Sequence, residues 1–163
     1  DPPSTIMERR QTPPKVIGSV IQGRELDRKK IIKMLLGTVR DEKVVPVVAI
    51  TGMAGLGKTT LAQMVYRDAR VRNHFRKTIW ITVTQNFTAE GILNGMIQIL
   101  GKTNQPLTLL EALLEKLNEL LDRGKFLLVL DDVWNESKRE WERLKASLLG
   151  VDVQNGSKIL VTT

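Results

Sequence analysis

A glycine-rich segment at residues 52–60 follows an apolar run at residues 44–50, and together they limit the possible fold more than any other feature. The segment reads GMAGLGKTT and contains the pattern G-x-x-x-x-G-K-[ST], in which a buried strand leads through a loop into a helix. Glycines let the loop backbone adopt positive φ, so successive N–H groups can bind phosphate oxygens beside the helix N-terminus. The sequence therefore predicts a phosphate-binding loop.

The residue types in this loop suggest separate roles at a nucleotide. Lys58 is expected to reach the β- and γ-phosphates, Thr59 to ligate Mg²⁺, and Thr60 to lie beside the α-phosphate. The phosphate cradle itself is expected to consist of Gly52, Met53, Ala54, Gly55, Leu56 and Gly57. The alternative is a glycine-rich strand-to-helix turn with a solvated lysine, which the preceding apolar strand disfavours.

Composition narrows the class of protein further. The 163 residues suit one domain with its own core, and the absence of cysteine excludes disulfides and fits a reducing, cytoplasmic location. No apolar run approaches the roughly 18 residues that a membrane span requires. The net charge of +7 permits a nucleic-acid partner. However, basic residues alternate with acidic ones and no aromatic-plus-basic module is present, so a generic basic surface is favoured and no nucleic-acid partner is expected.

Strands and helices are predicted to alternate along the chain. Residues 1–19 carry four of the six prolines and are expected to form a linker before the domain at residues 20–163. β-branched and apolar segments predict strands at 44–50, 77–84, 125–133 and 157–163. Helices are predicted at 25–36, from the loop to about residue 70, from Thr88 to Gly101, and from two capping boxes, Thr108 with Glu111 and Ser137 with Glu140. This alternation indicates an α/β fold with a parallel sheet, whose ligands bind at the carboxyl ends of the strands.

Two aspartates end the strand at residues 125–133, on the same predicted edge as the phosphate loop. Asp131 is expected to bind Mg²⁺, through water or through Thr59, because Mg²⁺ takes few protein ligands besides water and phosphate. Asp132 is placed to orient or deprotonate a water that attacks a γ-phosphate. For both residues a purely structural aspartate remains the alternative. His74, the only histidine, is expected to be a solvated or capping residue.

Together these segments resemble the nucleotide-binding, or NB-ARC, domain of plant intracellular immune receptors of the leucine-rich-repeat class. The resemblance runs from about residue 21 to residue 163. Five blocks carry it in order, at residues 23–25, 52–60, 75–87, 125–134 and 156–163. Trp134, directly after Asp131-Asp132-Val133, and Trp80 point to the receptors with a coiled-coil N-terminal domain.

The resemblance implies a three-layer P-loop NTPase of the STAND/AAA+-like kind that works as a switch. ADP represses the closed receptor, and exchange for ATP permits opening and oligomerisation. Carried over, Val20, Ile21, Gly23 and Arg24 would line the adenine and ribose. Lys58 and Asp132 would be the catalytic residues of a slow ATP hydrolysis, and Thr59 with Asp131 would hold the metal.

The family pattern also extends beyond this sequence, to an arginine that senses the γ-phosphate, the ARC subdomains, and the coiled-coil and leucine-rich-repeat domains. We therefore expect a fragment truncated after the fourth strand. In the family the strand before the phosphate loop lies between strand four and a later fifth strand, so an exposed, aggregation-prone edge is expected at residues 44–50.

Two functional hypotheses remain besides this switch with at most weak ATPase activity. One is an active P-loop ATPase that acts on nucleic acid, for which turnover stimulated by DNA or RNA is expected. Asp132, at a position where such enzymes usually have Glu, argues against it. The other is a small-molecule phosphotransferase, for which the sequence offers no acceptor site.

Overall fold

The computed structural model describes residues 16–17, 24–37, 44–52, 57–83, 87–103, 105–134 and 137–163. This part of the chain contains five strands and six helices, and every strand except the last is followed by one or two helices. The strands are β1 (Val16–Ile17), β2 (Val47–Ile50), β3 (Lys77–Thr82), β4 (Phe126–Asp131) and β5 (Lys158–Thr162). The helices are α1 (Arg24–Leu36), α2 (Lys58–Arg67), α3 (Ala69–His74), α4 (Ala89–Gly101), α5 (Leu110–Leu121) and α6 (Lys138–Val151).

The strands form one parallel sheet in the order β1-β2-β5-β4-β3. β5 lies at the centre, between the strand that precedes the phosphate loop and the strand that ends in the two aspartates. Ile50 is paired with Thr162, and Leu130 with Val161, so the carboxyl ends of these three strands are adjacent. The prediction of a parallel α/β sheet is confirmed.

Helices cover both faces of the sheet and give it two cores. Alternate residues of β4 show the division, because Phe126, Leu128 and Leu130 belong to one core and Leu127 and Val129 to the other. The first core is closed by α4, α5 and α6, and the second by α1, α2 and α3. All six residues of β4 are buried, as expected for a central parallel strand covered on both sides.

The two-residue strand β1 changes the expected edge of the sheet. Val16 pairs with Ala49 and Ile17 with Ile50, on the side of β2 opposite β5. The expectation of an exposed edge at residues 44–50 is therefore wrong for the carboxyl half of β2. β1 also lies inside the segment expected to be a linker, of which residues 1–15 and 18–19 lie outside the described residues. A two-residue strand is too short for a periodicity argument to detect.

Helix starts agree with the sequence at two of three predicted caps. Thr88 accepts a hydrogen bond from Gly91 N at the start of α4, and Ser137 from Glu140 N at the start of α6. The capping box at Thr108 is wrong, since α5 begins at Leu110. The side chain of Asn94 donates to Leu107 O and accepts from Leu107 N, which holds this part of the connection outside the helix.

The predicted helix after the phosphate loop is two helices separated at Asp68. This residue has an extended backbone, with φ −63° and ψ 133°, and its carboxylate accepts a hydrogen bond from Arg70 N as the cap of α3. Asp68 is only 7 % exposed. Hydrogen bonds from the Arg70 guanidinium and from Arg28 on α1 hold the pKa of this carboxyl well below its usual range. One acidic side chain thus ends α2, begins α3 and ties both to α1.

α1 is held at its other end by a buried lysine. Lys158, the first residue of β5, is 2 % exposed, and its ammonium donates to Leu35 O at 3.1 Å and Gly37 O at 2.8 Å. Leu35 lies in the last turn of α1 and Gly37 directly follows the helix, where carbonyls are left without internal donors. Burial lowers the pKa of the Lys158 ammonium. Within the described residues, no helix is long and apolar enough to cross a membrane.

Candidate functional site

The carboxyl ends of β2, β5 and β4 bring the residues of the candidate site together. Gly52 follows β2, α2 begins at Lys58, and Asp131 is the last residue of β4. Thr163 N donates to Ile50 O at 3.0 Å, and Val133 N donates to Thr162 O at 2.9 Å. The three strand ends are therefore linked by backbone hydrogen bonds just beyond the regular sheet.

Lys58 spans two of these strand ends. Its ammonium donates to Gly52 O at 2.9 Å and to Thr163 O at 2.7 Å. Gly57, immediately before α2, has φ 74° and ψ 27°, a left-handed conformation that favours glycine. This turn places the lysine on the first residue of a helix of ten residues, with the positive end of the helix dipole beside it.

Asp131 and Thr59 form a direct contact between β4 and α2. The Thr59 hydroxyl donates to Asp131 Oδ1 at 2.9 Å, and Asp131 is only 6 % exposed. Thr162 Oγ1 donates to the same Oδ1 at 2.5 Å. A carboxylate at the end of a rigid, buried strand is thus fixed by hydroxyl groups from two other elements.

Asp132 has an unusual backbone at the point where the chain leaves β4. Its φ of 63° is left-handed, which non-glycine residues seldom adopt and which asparagine and aspartate tolerate best. Asp132 N donates to Thr162 Oγ1 at 2.8 Å. Asp132 is partly exposed.

The donor set fits a nucleotide-bound Mg²⁺ rather than a metal held by protein alone. Among the described residues there is no group of three histidine, cysteine, aspartate or glutamate side chains that could hold a metal ion. Mg²⁺ prefers oxygen ligands and keeps several waters, so one hydroxyl and one carboxylate beside a phosphate are sufficient. Thr59 uses its hydrogen toward Asp131, which leaves oxygen lone pairs on the hydroxyl. Thr59 and Asp131 are therefore suited to such an ion.

Several predicted site residues are not covered by the structure. Val20, Ile21 and Gly23, and the loop residues Met53, Ala54, Gly55 and Leu56, lie outside the described residues. Arg24 is the first residue of α1, and its side chain is likewise outside the described part. Thr60 lies in the first turn of α2 and is exposed. The roles of these residues at the adenine, ribose and phosphates stay predictions.

His74 lies away from this edge, at the end of α3 before β3 begins. Its Nε2 is 3.4 Å from Lys125 Nζ, and its ring packs edge-on against Phe75 with centroids 4.8 Å apart. Lys125 directly precedes β4, so the pair lies at the amino ends of the strands. His74 is therefore remote from the residues proposed to meet a nucleotide.

Thr162 is the contact that the sequence analysis missed. The sequence places the threonines that end the strand at 157–163 on the same sheet edge as the aspartates but assigns them no role, yet Thr162 bonds to both aspartates. A signal was available, because parallel pairing of this strand with β4 places its terminal threonines beside the carboxylates. Polar residues at the carboxyl ends of adjacent parallel strands commonly share one site.

The sheet order and the strand–loop–helix unit that carries Lys58 and Thr59 define the chain as a P-loop NTPase domain. The sequence matches the NB-ARC domain over residues 24–163. The chain therefore belongs to the NB-ARC family, as the five sequence blocks predicted.

Named relatives are plant disease-resistance proteins. Disease resistance protein RGA2 of Solanum bulbocastanum is 40 % identical over 162 residues, 95 % of this chain and 16 % of that protein. Putative disease resistance protein RGA4 of the same species is 40 % identical over 143 residues, covering 88 % of this chain and 14 % of that protein. Putative disease resistance RPP13-like protein 1 of Arabidopsis thaliana is 36 % identical over 147 residues, covering 89 % of this chain and 14 % of that protein. The chain thus spans between 14 % and 16 % of the length of these relatives.

Proposed function

We propose that this chain is the nucleotide-binding part of a plant disease-resistance receptor and acts there as an ADP/ATP switch with at most slow ATP hydrolysis. The observation that carries the proposal is the hydroxyl–carboxylate contact between Thr59 and Asp131, at the same strand ends as Lys58. Family membership and the names of the relatives support the receptor context.

The positions of the side chains support the proposed roles. Lys58, on the first residue of α2, balances the charge of the β- and γ-phosphates. Thr59 and Asp131 would hold Mg²⁺, which when bound neutralises charge on phosphate oxygens. Asp132 orients the water whose oxygen attacks the γ-phosphorus, and its carboxylate takes the water proton as the bond to ADP breaks. Hydrolysis is slow in this proposal because a switch must keep its nucleotide for long periods.

The partners and the location in this proposal concern the whole receptor. They are an adenine nucleotide, the ARC, coiled-coil and leucine-rich-repeat domains of the same receptor, and further copies of it on activation. The cytoplasm is the proposed compartment, in keeping with a chain that contains no cysteine.

Calorimetry with the Lys58→Ala variant tests the nucleotide site. ADP and ATP are titrated into the wild-type chain and the variant, each with and without Mg²⁺. Loss of the ammonium is expected to weaken binding by at least about tenfold, equivalent to roughly 1.4 kcal/mol. Lys30→Ala, which removes an exposed lysine of α1, is the matched control and should bind as the wild type does. A folded wild-type chain without affinity for either nucleotide, or a Lys58→Ala variant with unchanged affinity, would contradict the proposal.

Turnover with and without DNA or RNA separates the switch from a nucleic-acid ATPase. A switch should remain slow under both conditions, whereas an ATPase of the motor or helicase kind is stimulated by its nucleic acid. Stimulation that disappears as salt increases would favour the ATPase hypothesis, because phosphate contacts are salt-dependent.

A further inference from the structure

Thr162 makes two hydrogen bonds whose directions are fixed by chemistry. It is the last residue of β5 and only 2 % exposed. Asp132 N is a donor, so the Thr162 oxygen must accept from it, at 2.8 Å. The single hydroxyl hydrogen is then available for Asp131 Oδ1, at 2.5 Å. The hydroxyl therefore relays a hydrogen bond from the backbone of one aspartate to the side chain of the other.

The first consequence concerns the orientation of the Asp131 carboxylate. Oδ1 receives hydroxyl groups from Thr59 on α2 and from Thr162 on β5. Two donors from separate elements fix one oxygen and oppose rotation of the carboxylate, whose terminal torsion is otherwise soft. Without Thr162, Thr59 would be the one hydroxyl donor to Oδ1 left in the described part of the chain, and Thr59 is itself proposed to contact the metal ion.

The second consequence concerns the backbone of Asp132. Its left-handed conformation is unfavourable for a non-glycine residue, so neighbouring contacts must hold it. Asp132 N donates to Thr162 Oγ1, and the next amide, Val133 N, donates to Thr162 O. Two consecutive amides after β4 are thus bound by one residue of β5, which determines where the Asp132 side chain leaves the backbone.

We infer that Thr162 is a positioning residue, whose hydroxyl holds the Asp131 carboxylate and the Asp132 backbone in the arrangement that a nucleotide-bound divalent cation requires. The inference rests on the proposed function. It assigns Thr162 no contact with the nucleotide, so its effect should be confined to the metal-dependent part of binding.

The Thr162→Val and Thr162→Ser variants separate the hydroxyl from the shape of the side chain. Valine keeps the β-branched shape but can neither donate nor accept, whereas serine keeps the hydroxyl. ADP affinity is measured by calorimetry with and without Mg²⁺ for the wild type and both variants. Thr162→Val is expected to lose most of the affinity gain produced by Mg²⁺, while its metal-free affinity stays within about twofold of the wild type. Thr162→Ser should keep the affinity gain that Mg²⁺ produces in the wild type.

Thr78→Val provides the matched control. Thr78 is a partly buried threonine of β3, and its replacement by valine makes the same chemical change away from the site. This variant should show the wild-type response to Mg²⁺. Equal loss of metal-free and metal-dependent affinity in Thr162→Val would indicate a merely structural role and overturn the inference.

The wild-type chain offers a readout that needs no variant. A hydroxyl proton held between buried partners exchanges slowly enough for detection by NMR. The Thr162 hydroxyl resonance should move much more on addition of ADP with Mg²⁺ than on addition of ADP alone. Equal shifts in the two titrations overturn the inference.

The two proposals fail in different ways. Absence of nucleotide binding by the folded wild-type chain would overturn the proposed function, and the inference with it. Normal binding with an unchanged Mg²⁺ response in Thr162→Val would overturn the inference alone.

Discussion

At the scale of single residues, the surroundings of His74 keep its ring neutral. Burial, together with the charges of Lys125 and Lys158, lowers the pKa of the imidazole from its ordinary value of 6.5. The contact with Lys125 Nζ acts in the same direction, because only a neutral ring nitrogen can accept from an ammonium. The unfolded chain therefore binds a proton at His74 more readily than the folded chain does.

This difference predicts a loss of stability in mild acid. Above pH 6.5 His74 is neutral in both the folded and the unfolded chain, and the folded state keeps its full stability. As the pH falls below 6.5 toward the lower pKa of the folded state, the unfolded chain takes up a proton at His74 first, and the free energy of unfolding decreases. Between pH 7.5 and 5.5 the wild type should lose more of its free energy of unfolding than His74→Gln does, by a modest amount because the ring is partly exposed. Urea unfolding at both pH values measures it. His74 is the only histidine, so identical losses would contradict the assignment.

At the scale of elements, Lys158 determines how α1 ends. Replacement by methionine keeps the length and the apolar contacts of the side chain but removes the donor to Leu35 O and Gly37 O. Two acceptors then lose their protein partner, which should cost about 1–3 kcal/mol. Amide hydrogen exchange should become faster in the last turn of α1 and remain unchanged in α5. Uniform acceleration across the chain, or none, would contradict this role.

Some boundaries of the helices and strands can be predicted from the sequence, and others cannot. Strands β2 to β5 were predictable, because each is a short run rich in apolar or β-branched residues, and α1 begins within one residue of its predicted start. The division between α2 and α3 was not predicted, because Asp68 combines a local cap on Arg70 N with a contact to Arg28 of α1 that lies far away in the sequence. The false cap at Thr108 has a similar cause, because a distant side chain, Asn94, fixes the connection. Tertiary contacts decide such boundaries.

The candidate site likewise contains residues that the sequence predicts and one whose role depends on the assembled sheet. Lys58, Thr59 and Asp131 belong to patterns with a known spacing, so the sequence placed them on one edge before the structure did. Thr162 has no such pattern, and its contacts depend on which strand lies beside β4. Strand order is a property of the assembled sheet, and local periodicity does not contain it.

At the scale of the whole molecule, β1 protects the strand that carries the phosphate loop. Deletion of residues 1–17 removes β1 and leaves the Ala49–Ile50 part of β2 without this parallel partner. The deleted chain should self-associate, because an unpaired apolar strand edge accepts other chains. Deletion of residues 1–15 alone retains β1 and is the matched control. Light scattering over a range of concentrations should show growth of large species only in the longer deletion, and equal behaviour of both would argue against the protective role.

The strand order also determines when this domain can fold. Val47 pairs with Ile159, so the strand beside the phosphate loop meets its central partner only after β5 has been synthesised. Until then, β2 of the nascent chain is an apolar strand without its central partner, because that partner lies more than a hundred residues later in the sequence. Contacts of such long sequence separation slow folding and prolong the lifetime of aggregation-prone intermediates. Production of this domain in the cell should therefore depend on chaperones that bind early and release late.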